Sequence, residues 1–363
     1  MHSNNSSTAV STSHYQVLSI SLMSSLVLII TVGNVLSLTI FLGSRRFHTP
    51  QGYLKVSLAS ADLAVGVVVV PYSLFHEINS LWTSQRGPSS VSGQTNISDE
   101  VSALEGGFQP CFVMGPVFAG CTLVSITTIF LLSLERGITI LKPLQKNVIV
   151  TKQRTLGLIA MTWLLCSVIA VSPLLMSKDV TLAFSSCSKM CNYVSCSAQQ
   201  GLLCPPDNNT SFSSSVSMAM LVFPVFDLAM MAATCVVNAV TFSAVRRFCR
   251  GHSRPAVVRR KWFTKASSSM KVSTSGPSFS DIRAAKTIAV LTALFCASLL
   301  PVAVLVLGNV LLGRRWCRFS LYAFWSLACS SGWNVLVYST CDRRFRQRTG
   351  ELLLSHPKNT SHV

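Results

Sequence analysis

A few charged or amide side chains interrupt long apolar stretches of this sequence, and they are its candidates for chemistry. Asn34, Asp62 and Asn334 each stand inside such a stretch, and the adjacent pair Glu135 and Arg136 follows directly after another. Polar groups inside a membrane are costly, so they are functional candidates that pair charges or form hydrogen bonds. The seven histidines are scattered, and no His-Glu-x-x-His or Gly-x-Ser-x-Gly sequence is present. The pattern therefore does not favour an enzyme.

Seven stretches are long and apolar enough to carry these residues through a bilayer. Spanning takes about 20 mostly apolar residues in a helix, and such stretches cover residues 17–42, 54–75, 111–134, 156–176, 216–245, 288–312 and 320–338. They lack the two-residue alternation of a barrel strand, so we predict helices. The seventh is the least apolar, because Ser326, Ser330, Ser331 and Asn334 interrupt it. The predicted fold is all-α, a bundle of seven transmembrane helices.

Basic residues are concentrated in segments that would share one side of the membrane. The formal net charge is +18, yet only 12% of residues are charged, against roughly 25% in soluble domains. Of the 30 Lys and Arg, 24 fall in the predicted inner loops and the C-terminal tail. This excess marks the cytosolic side, so we expect a multi-pass plasma-membrane protein with its N-terminus outside and its C-terminus in the cytosol. No helix-turn-helix, zinc finger or aromatic-basic stripe accompanies the charge, so no nucleic-acid partner is expected.

Glycosylation signals and cysteines agree with that orientation. The sequons in predicted outer segments begin at Asn4, Asn5, Asn96, Asn208 and Asn209. Six of the 13 cysteines also fall outside, namely Cys111, Cys187, Cys191, Cys196, Cys204 and Cys317. An even number of cysteines in an oxidising compartment allows up to three disulfides, whose connectivity cannot be deduced from the sequence.

Three parts follow one another along the chain. Residues 1–16 form a Ser/Thr/Asn-rich extracellular tail that we expect to lack regular structure, and residues 17–342 form the transmembrane domain. Residues 343–363 form the cytoplasmic end, in which residues 343–354 can form a short amphipathic helix. Its Phe345, Leu352 and Leu353 would face lipid while its arginines face headgroups. Membrane lipid is thus one expected partner.

The single-residue landmarks of the seven stretches, in this order, resemble those of the rhodopsin-type (class A) G-protein-coupled receptors. The landmarks are Asn34, Asp62, Cys111, Arg136, Trp163, Pro224, Pro301, Asn334 and Tyr338. Each is weak alone, but together they are specific, and Cys111 stands 25 residues before Arg136, as in the family. The resemblance covers about residues 17–354, and the motif spellings of the first three helices lean toward the amine-receptor branch.

This resemblance implies a switch on the cytosolic side. Arg136 resembles the arginine that contacts the G protein when the inner face opens, and Glu135 would hold it by charge in the resting state. Asp281 resembles the acidic partner of the family's inter-helix lock, and Asn334 and Tyr338 resemble its landmarks in the seventh helix. The implied partners are a heterotrimeric G protein and an extracellular ligand, together with arrestin and a receptor kinase.

An ion site is implied as well. Carboxylate, hydroxyl and amide oxygens suit a hard cation. The residues that resemble the family's allosteric sodium pocket are Asp62, Ser125, Ser330, Ser331 and Asn334. The alternative is a hydrated polar cluster without sodium, and no other cofactor is expected.

The family resemblance also implies a disulfide from the outer end of the third helix. Cys111 is expected to pair with a cysteine of the second outer loop. We favour Cys204, because it lies 20 residues before Pro224, a spacing common in the family. The remaining outer cysteines would form further bonds of unassigned pairing.

Several positions depart from the family pattern. Gly137 replaces the tyrosine after the arginine, Leu299 the tryptophan of the sixth helix, and Val335 the proline of the seventh. Phe118 occupies the position at which amine receptors keep an aspartate, so a charged amine lacks its usual counter-ion. Phe118, Cys121 and Leu299 instead indicate an apolar ligand pocket, under a cysteine-stapled lid formed by the second outer loop.

Two functions of different classes remain in view. We predict a cell-surface receptor that carries an extracellular signal to heterotrimeric G proteins, with its ligand unassigned and constitutive activity left open by the altered switch residues. The alternative is a receptor-like scaffold or decoy that does not signal, which the departures at Gly137, Leu299 and Val335 motivate. A transporter or channel would have paired broken helices or rings of charge, and neither is evident.

Overall fold

Long helices and one β-hairpin make up the part of the chain that the structure describes. The computed structural model describes residues 4–85, 109–143, 145–177, 180–195, 214–252, 279–312 and 316–354. The predictions on Asn96, Cys196, Cys204, Asn208 and Asn209 lie outside the described residues. The side chains of Asn4, Asn5, Asp281 and Leu353 are also outside the description.

The helices follow the predicted apolar stretches in order. Helix α1 covers Asn4–Gly43, α2 runs from Pro50–Ala64 through a π-helical turn at Val65–Val69 into Val70–Gln85, and α3 covers Cys111–Leu141. After a single turn at Lys146–Ile149 come α4 (Lys152–Met176), α5 (Ser214–His252), α6 (Phe279–Leu312), α7 (Cys317–Cys341) and α8 (Arg343–Leu354). Between α4 and α5 lie the paired strands β1 (Val180–Ser185) and β2 (Met190–Ser195).

Helices α1 to α6 are each long and apolar enough to cross a membrane. Helix α7 is less apolar because serines and Asn334 lie along it, but it packs against α6 and α1 and completes the bundle. Helix α3 is central and packs against α2, α4, α5 and α6. The predicted fold of seven transmembrane helices followed by a short helix is confirmed.

The first helix begins earlier than the sequence indicated. Residues 4–16, expected to lack regular structure, continue α1 back to Asn4. Neither Gly nor Pro occurs among these residues. Because propagation of a helix adds one hydrogen bond for each residue fixed, the apolar span extends into the polar segment that precedes it.

Helix α8 has the predicted bounds, but the direction predicted for Phe345 is wrong. The Phe345 side chain is fully buried, and its ring centroid lies 5.6 Å from that of Phe41 and 6.0 Å from that of Tyr338. Only Asp342 separates α7 from α8, so the first turn of α8 is held against α1 and α7. Leu352, two turns farther on, is exposed as expected for a residue that faces lipid.

Disulfides attach the hairpin to the bundle at two points. Strands β1 and β2 are antiparallel, with Val180 opposite Ser195 and Ser185 opposite Met190. Cys191 on β2 is bonded to Cys111, the first residue of α3, and Cys187 in the turn is bonded to Cys317, the first residue of α7.

The expected partner of Cys111, Cys204, is therefore wrong. Spacing along the chain does not show that the loop folds back on itself as a hairpin, which brings β2 to α3. Cys191 packs with Cys111 and Leu182 in one buried cluster.

Candidate functional site

A cavity of 460 Å³ opens between the helix ends opposite the hairpin, which we call the inner ends. Its walls come from α2, α3, α6, α7, α8 and the turn between α1 and α2, and they include the predicted switch residues Glu135, Arg136 and Tyr338. The remaining charged groups of its lining are Arg46, Lys55, Arg283, Asp342, Arg343 and Arg344. The volume lies in the range of protein ligand pockets, and the lining is strongly basic. Such a cavity suits a segment of another protein that carries negative charge or carbonyl groups.

Arg136 is held in this cavity by its neighbour on α3. Its Nε lies 3.1 Å from Oε2 of Glu135, and the two side chains are 10% and 7% exposed. Thr139, one turn later, donates to the backbone carbonyl of Glu135 at 2.8 Å and to its Oε1 at 3.4 Å. The expected pairing of Glu135 with Arg136 is therefore present, and opposite charges attract more strongly when they are shielded from water.

The departure at Gly137 has a packing reason. A Cβ built on Gly137 would lie 3.1 Å from Oγ1 of Thr241 on α5. Ordinary contacts of a Cβ are longer, so a larger residue here would displace the Thr241 hydroxyl, which donates to the carbonyl of Val237 at 2.8 Å. Glycine thus allows α3 and α5 to approach closely beside the Glu135–Arg136 pair.

Sequence reasoning missed a second ion pair in the cavity. Nζ of Lys55 on α2 lies 3.0 Å from Oδ2 of Asp342, with the side chains 8% and 21% exposed. The same ammonium lies 4.7 Å from the ring centroid of Tyr338 and 5.2 Å from that of Phe41. Lys55 was treated only as one of the inner basic residues. The sequence did contain a signal for a specific role of Lys55. It stands seven residues before Asp62, which is two helical turns along the same face of α2.

Asp342 also begins α8. Its Oδ1 accepts hydrogen bonds from the backbone N–H groups of Arg344, at 3.0 Å, and Phe345, at 3.3 Å. Burial alone would raise the pKa of the Asp342 carboxyl, but the charge and hydrogen bond of Lys55 and these two backbone donors lower the pKa below its ordinary value. One carboxylate therefore caps a helix and pairs with Lys55.

The residues of the predicted ion site come together in the middle of the bundle. Ser125 on α3 donates to Oδ1 of Asp62 at 3.2 Å, and Asn334 on α7 donates to its Oδ2. Ser331 is also hydrogen-bonded to this carboxylate, and Ser330, the preceding residue on α7, is buried. The oxygens of this set are of the kinds that bind a hard cation, so the residues fit the sodium ion that the resemblance implies.

Asn34 joins this cluster to the first helix. Its Nδ2 donates to the carbonyl of Ser331 at 3.0 Å and to that of Ile30 at 2.9 Å. Near this contact a Cβ built on Gly33 would lie 2.8 Å from a methyl group of Val335. Val335, which stands where the family has proline, is thus packed directly against α1.

A seven-helix bundle with these landmarks and this inner cavity has a match among known proteins. A family model described as "7 transmembrane receptor (rhodopsin family)" matches residues 105–334, more than half of the chain. The chain belongs to this family. The resemblance stated from the landmarks is therefore confirmed, and the members of this family are receptors rather than enzymes.

Curated relatives of this receptor are amine receptors. The Alpha-2Da adrenergic receptor of Danio rerio is 32% identical over 158 residues, which are 43% of this chain and 33% of the relative. The Alpha-2 adrenergic receptor of Carassius auratus is 31% identical over 156 residues, 43% and 31% of the two chains. Octopamine receptor 1 of Lymnaea stagnalis is 30% identical over 159 residues, 44% and 22%. The match thus spans a third or less of the length of these relatives.

The predicted pocket residues lie in the core of the receptor. Phe118, Cys121 and Leu299 are all buried and belong to the main hydrophobic cluster. The ring centroids of Phe118 and Phe324 are 6.4 Å apart. Met190, from the start of β2, belongs to the same cluster. The hairpin therefore enters the bundle instead of only covering it, and a ligand pocket formed by the three predicted residues stays a prediction.

A third ion pair, also missed from the sequence, lies beside this cluster. Nζ of Lys189 in the hairpin turn is 3.0 Å from Oε2 of Glu77 on α2, with side chains 24% and 3% exposed. Glu77 falls just beyond the predicted second span, and Lys189 was treated only as one of the few basic residues on the outer side. The signal available was a lone acid at the end of an apolar stretch.

Proposed function

We propose that this protein is a cell-surface receptor that passes an extracellular signal to a heterotrimeric G protein through the inner cavity. The observation that carries the proposal is Arg136, buried and paired with Glu135 in the wall of a basic cavity of 460 Å³. Separation of the inner helix ends would widen this cavity and release Arg136 toward the α subunit. A ligand shifts such an equilibrium only by binding one state more tightly than the other.

The orientation in the membrane is part of the proposal. The two disulfides among the described residues lie at the hairpin end of the bundle, opposite the cavity, and disulfides persist in oxidising compartments. The arginines of α8 and of the cavity lie at the other end of the bundle. An excess of basic residues marks the cytosolic side of a membrane protein. These features support an extracellular N-terminus and a cytosolic C-terminus. Arrestin and a receptor kinase would then act at the cavity end.

The Asp62 cluster is the proposed place for an allosteric sodium ion. Asp62, Ser125 and Asn334 come from three different helices, so a cation held there would tie α2, α3 and α7 together. Such an ion supplies positive charge that compensates the buried carboxylate.

The relatives' names point to amines, but the position that resembles their counter-ion does not support amine binding in this chain. Phe118 stands at that position and packs near Phe324 without offering a charge. The proposed function therefore does not include an amine held by α3.

Ligand-free activation of the main classes of G-protein α subunit in cells tests the proposal. Arg136→Ala, matched to wild type for surface expression, is expected to abolish the basal signal. The control is Arg45→Ala, because Arg45 is exposed on the turn after α1 and outside the cavity lining. A basal signal that persists in Arg136→Ala would overturn the proposed coupling site. No signal from well-expressed wild type, also after substitution of Leu299 by Trp and Val335 by Pro, would favour the scaffold or decoy.

A further inference from the structure

The turn of the outer hairpin penetrates the bundle. Ser188 and Met190 are completely buried, and Met190 packs in the same cluster as Phe118 and Leu299. Nε1 of Trp325 on α7 donates to the carbonyl of Ser188 at 3.0 Å. The segment 187–191, which we name the hairpin tip, thus lies inside the outer end of the bundle, against α3 and α7.

Covalent bonds fix the hairpin tip at both of its ends. Cys187 is bonded to the first residue of α7 and Cys191 to the first residue of α3. Leu182 of β1 lies on Gly115 of α3, where a Cβ would collide with it. The tip therefore cannot leave the bundle without breaking a disulfide or moving a helix.

Lys189 is the charged residue of the tip, and its backbone is in an uncommon conformation. Its φ is 58°, the left-handed region that L-residues other than Gly seldom adopt. Strained residues persist where surrounding contacts hold them. Here the Lys189 N–H donates to the carbonyl of Ser185 at 2.7 Å, and Nζ of its side chain lies 3.0 Å from Oε2 of Glu77. The Glu77 side chain is 3% exposed, and a buried carboxylate requires a partner of opposite charge.

The wall of α2 around Glu77 is built against the hairpin. His76 stacks on Phe184 of β1, with ring centroids 3.9 Å apart and planes inclined by 9°. The Tyr72 ring lies 6.1 Å from that of His76. These ring contacts pack α2 against β1 at the residue that precedes Glu77, and Lys189 of the hairpin turn supplies the cationic group at the Glu77 carboxylate.

We propose that Glu77 is a cation-binding site for a primary ammonium group and that the receptor's own Lys189 is its occupant. The hairpin tip is then a tethered ligand, and the receptor carries on its own hairpin the charge that a diffusible amine would bring to Glu77. The assignment of a ligand role to this contact rests on the proposed receptor function, whereas the cation site does not.

Chemical rescue tests the site directly. Lys189→Ala removes three methylene carbons and the ammonium, a fragment that n-propylammonium matches, and alanine keeps the Cβ that glycine would remove at this left-handed position. Purified Lys189→Ala is expected to melt at a lower temperature than wild type. Saturating n-propylammonium should raise that melting temperature by roughly 2 °C or more. Wild type and Lys189→Ala/Glu77→Gln should show no such rise.

Each result of this experiment either supports or overturns the cation site at Glu77. A melting temperature of Lys189→Ala that does not respond to n-propylammonium, or responds equally in the double variant, overturns the site. If Lys189→Ala reaches the cell surface poorly, the yield becomes the readout, and n-propylammonium in the medium should raise it only while Glu77 is present.

Ligand-free G-protein activation tests the tethered-ligand role separately from the cation site. If the tip acts as a tethered ligand, ligand-free G-protein activation by Lys189→Ala should differ at least twofold from wild type, and n-propylammonium should return it to the wild-type level. An unchanged signal overturns the tethered ligand. Rescue of the melting temperature with no G-protein signal from any variant, wild type included, would instead confirm the site and count against the proposed function.

Discussion

The ion pair between Lys55 and Asp342 should stabilise the inner end of the bundle, and Lys55→Met measures how much. Methionine is unbranched and of similar length, so it keeps the packing on the rings of Phe41 and Tyr338 while removing the charge. The substitution leaves Asp342 unpaired at the junction of α7 and α8. We therefore expect a lower melting temperature of the purified receptor.

The size of the effect follows from the geometry. At the observed Nζ–Oδ2 separation of 3.0 Å, two unit charges attract by roughly 5 kcal/mol at an effective dielectric constant of about 20. Removal of one partner of a buried pair costs roughly 3–5 kcal/mol. Asp342 is 21% exposed and keeps two backbone donors. We therefore expect a cost at the lower end of this range, roughly 3 kcal/mol. At roughly 2 °C for each kcal/mol in a large domain, Lys55→Met should lower the melting temperature by about 6 °C.

A double-mutant cycle separates the pair from its surroundings. Asp342→Asn keeps an oxygen for the α8 cap, and Lys55→Met/Asp342→Asn leaves no uncompensated charge. The melting temperature of the double variant should therefore fall by at least 2 °C less than the sum of the falls in the two single variants. This difference corresponds to roughly 1 kcal/mol of coupling. The control is Lys152→Met, because the Lys152 ammonium lies 5.2 Å from the ring centroid of Tyr53 but its side chain is exposed. Strict additivity of the two shifts would refute the reasoning.

Three further predictions concern the hairpin, the ion site and pH. Gly115→Ala should lower the melting temperature and the surface yield because its Cβ meets Leu182, whereas Gly157→Ala, with open space around its Cβ, should not; equal behaviour of both variants would contradict the close packing of the hairpin. Replacing N-methylglucamine by sodium should raise the melting temperature of wild type but not of Asp62→Asn, and a rise in both would place the ion elsewhere. Because the folded pKa of Asp342 lies below its unfolded value of about 3.9, the pair stabilises fully above that pH and loses its effect as pH falls. The difference in melting temperature between wild type and Asp342→Asn should therefore narrow from pH 5 to pH 3, and a constant difference would exclude this linkage.

The helical part of the fold was predictable because its signals are local. Helix α8 has the predicted bounds, since its basic and apolar residues alternate with a helical period. Helix α7 was recognised as the least apolar of the seven stretches, and its landmarks Asn334 and Tyr338 agreed with that prediction. The early start of α1 was missed because composition does not show how far a helix propagates beyond its apolar span.

The hairpin was not predictable, because it depends on partners distant in sequence. A two-stranded ribbon is marginal by itself, and this one is held by disulfides to α3 and α7 and by packing on α2. The same reason explains the wrong pairing of Cys111 and the missed ion pair of Glu77 with Lys189. In the inner half, Glu135 and Arg136 are neighbours in sequence, so their pairing was expected, whereas Lys55 and Asp342 are 287 residues apart.

The π-helical turn at Val65–Val69 determines the angle at which the outer half of α2 is presented. Such a turn holds one residue more than an α-helical turn, and each residue of a helix corresponds to a rotation of about 100°. Removing a single residue there, for example the exposed Val67, would leave Asp62 in place but turn the outer half by about 100°. Glu77 would then point away from Lys189. One additional residue in the backbone of α2 thus sets the rotation about the helix axis that separates Asp62 of the central polar cluster from the carboxylate of Glu77.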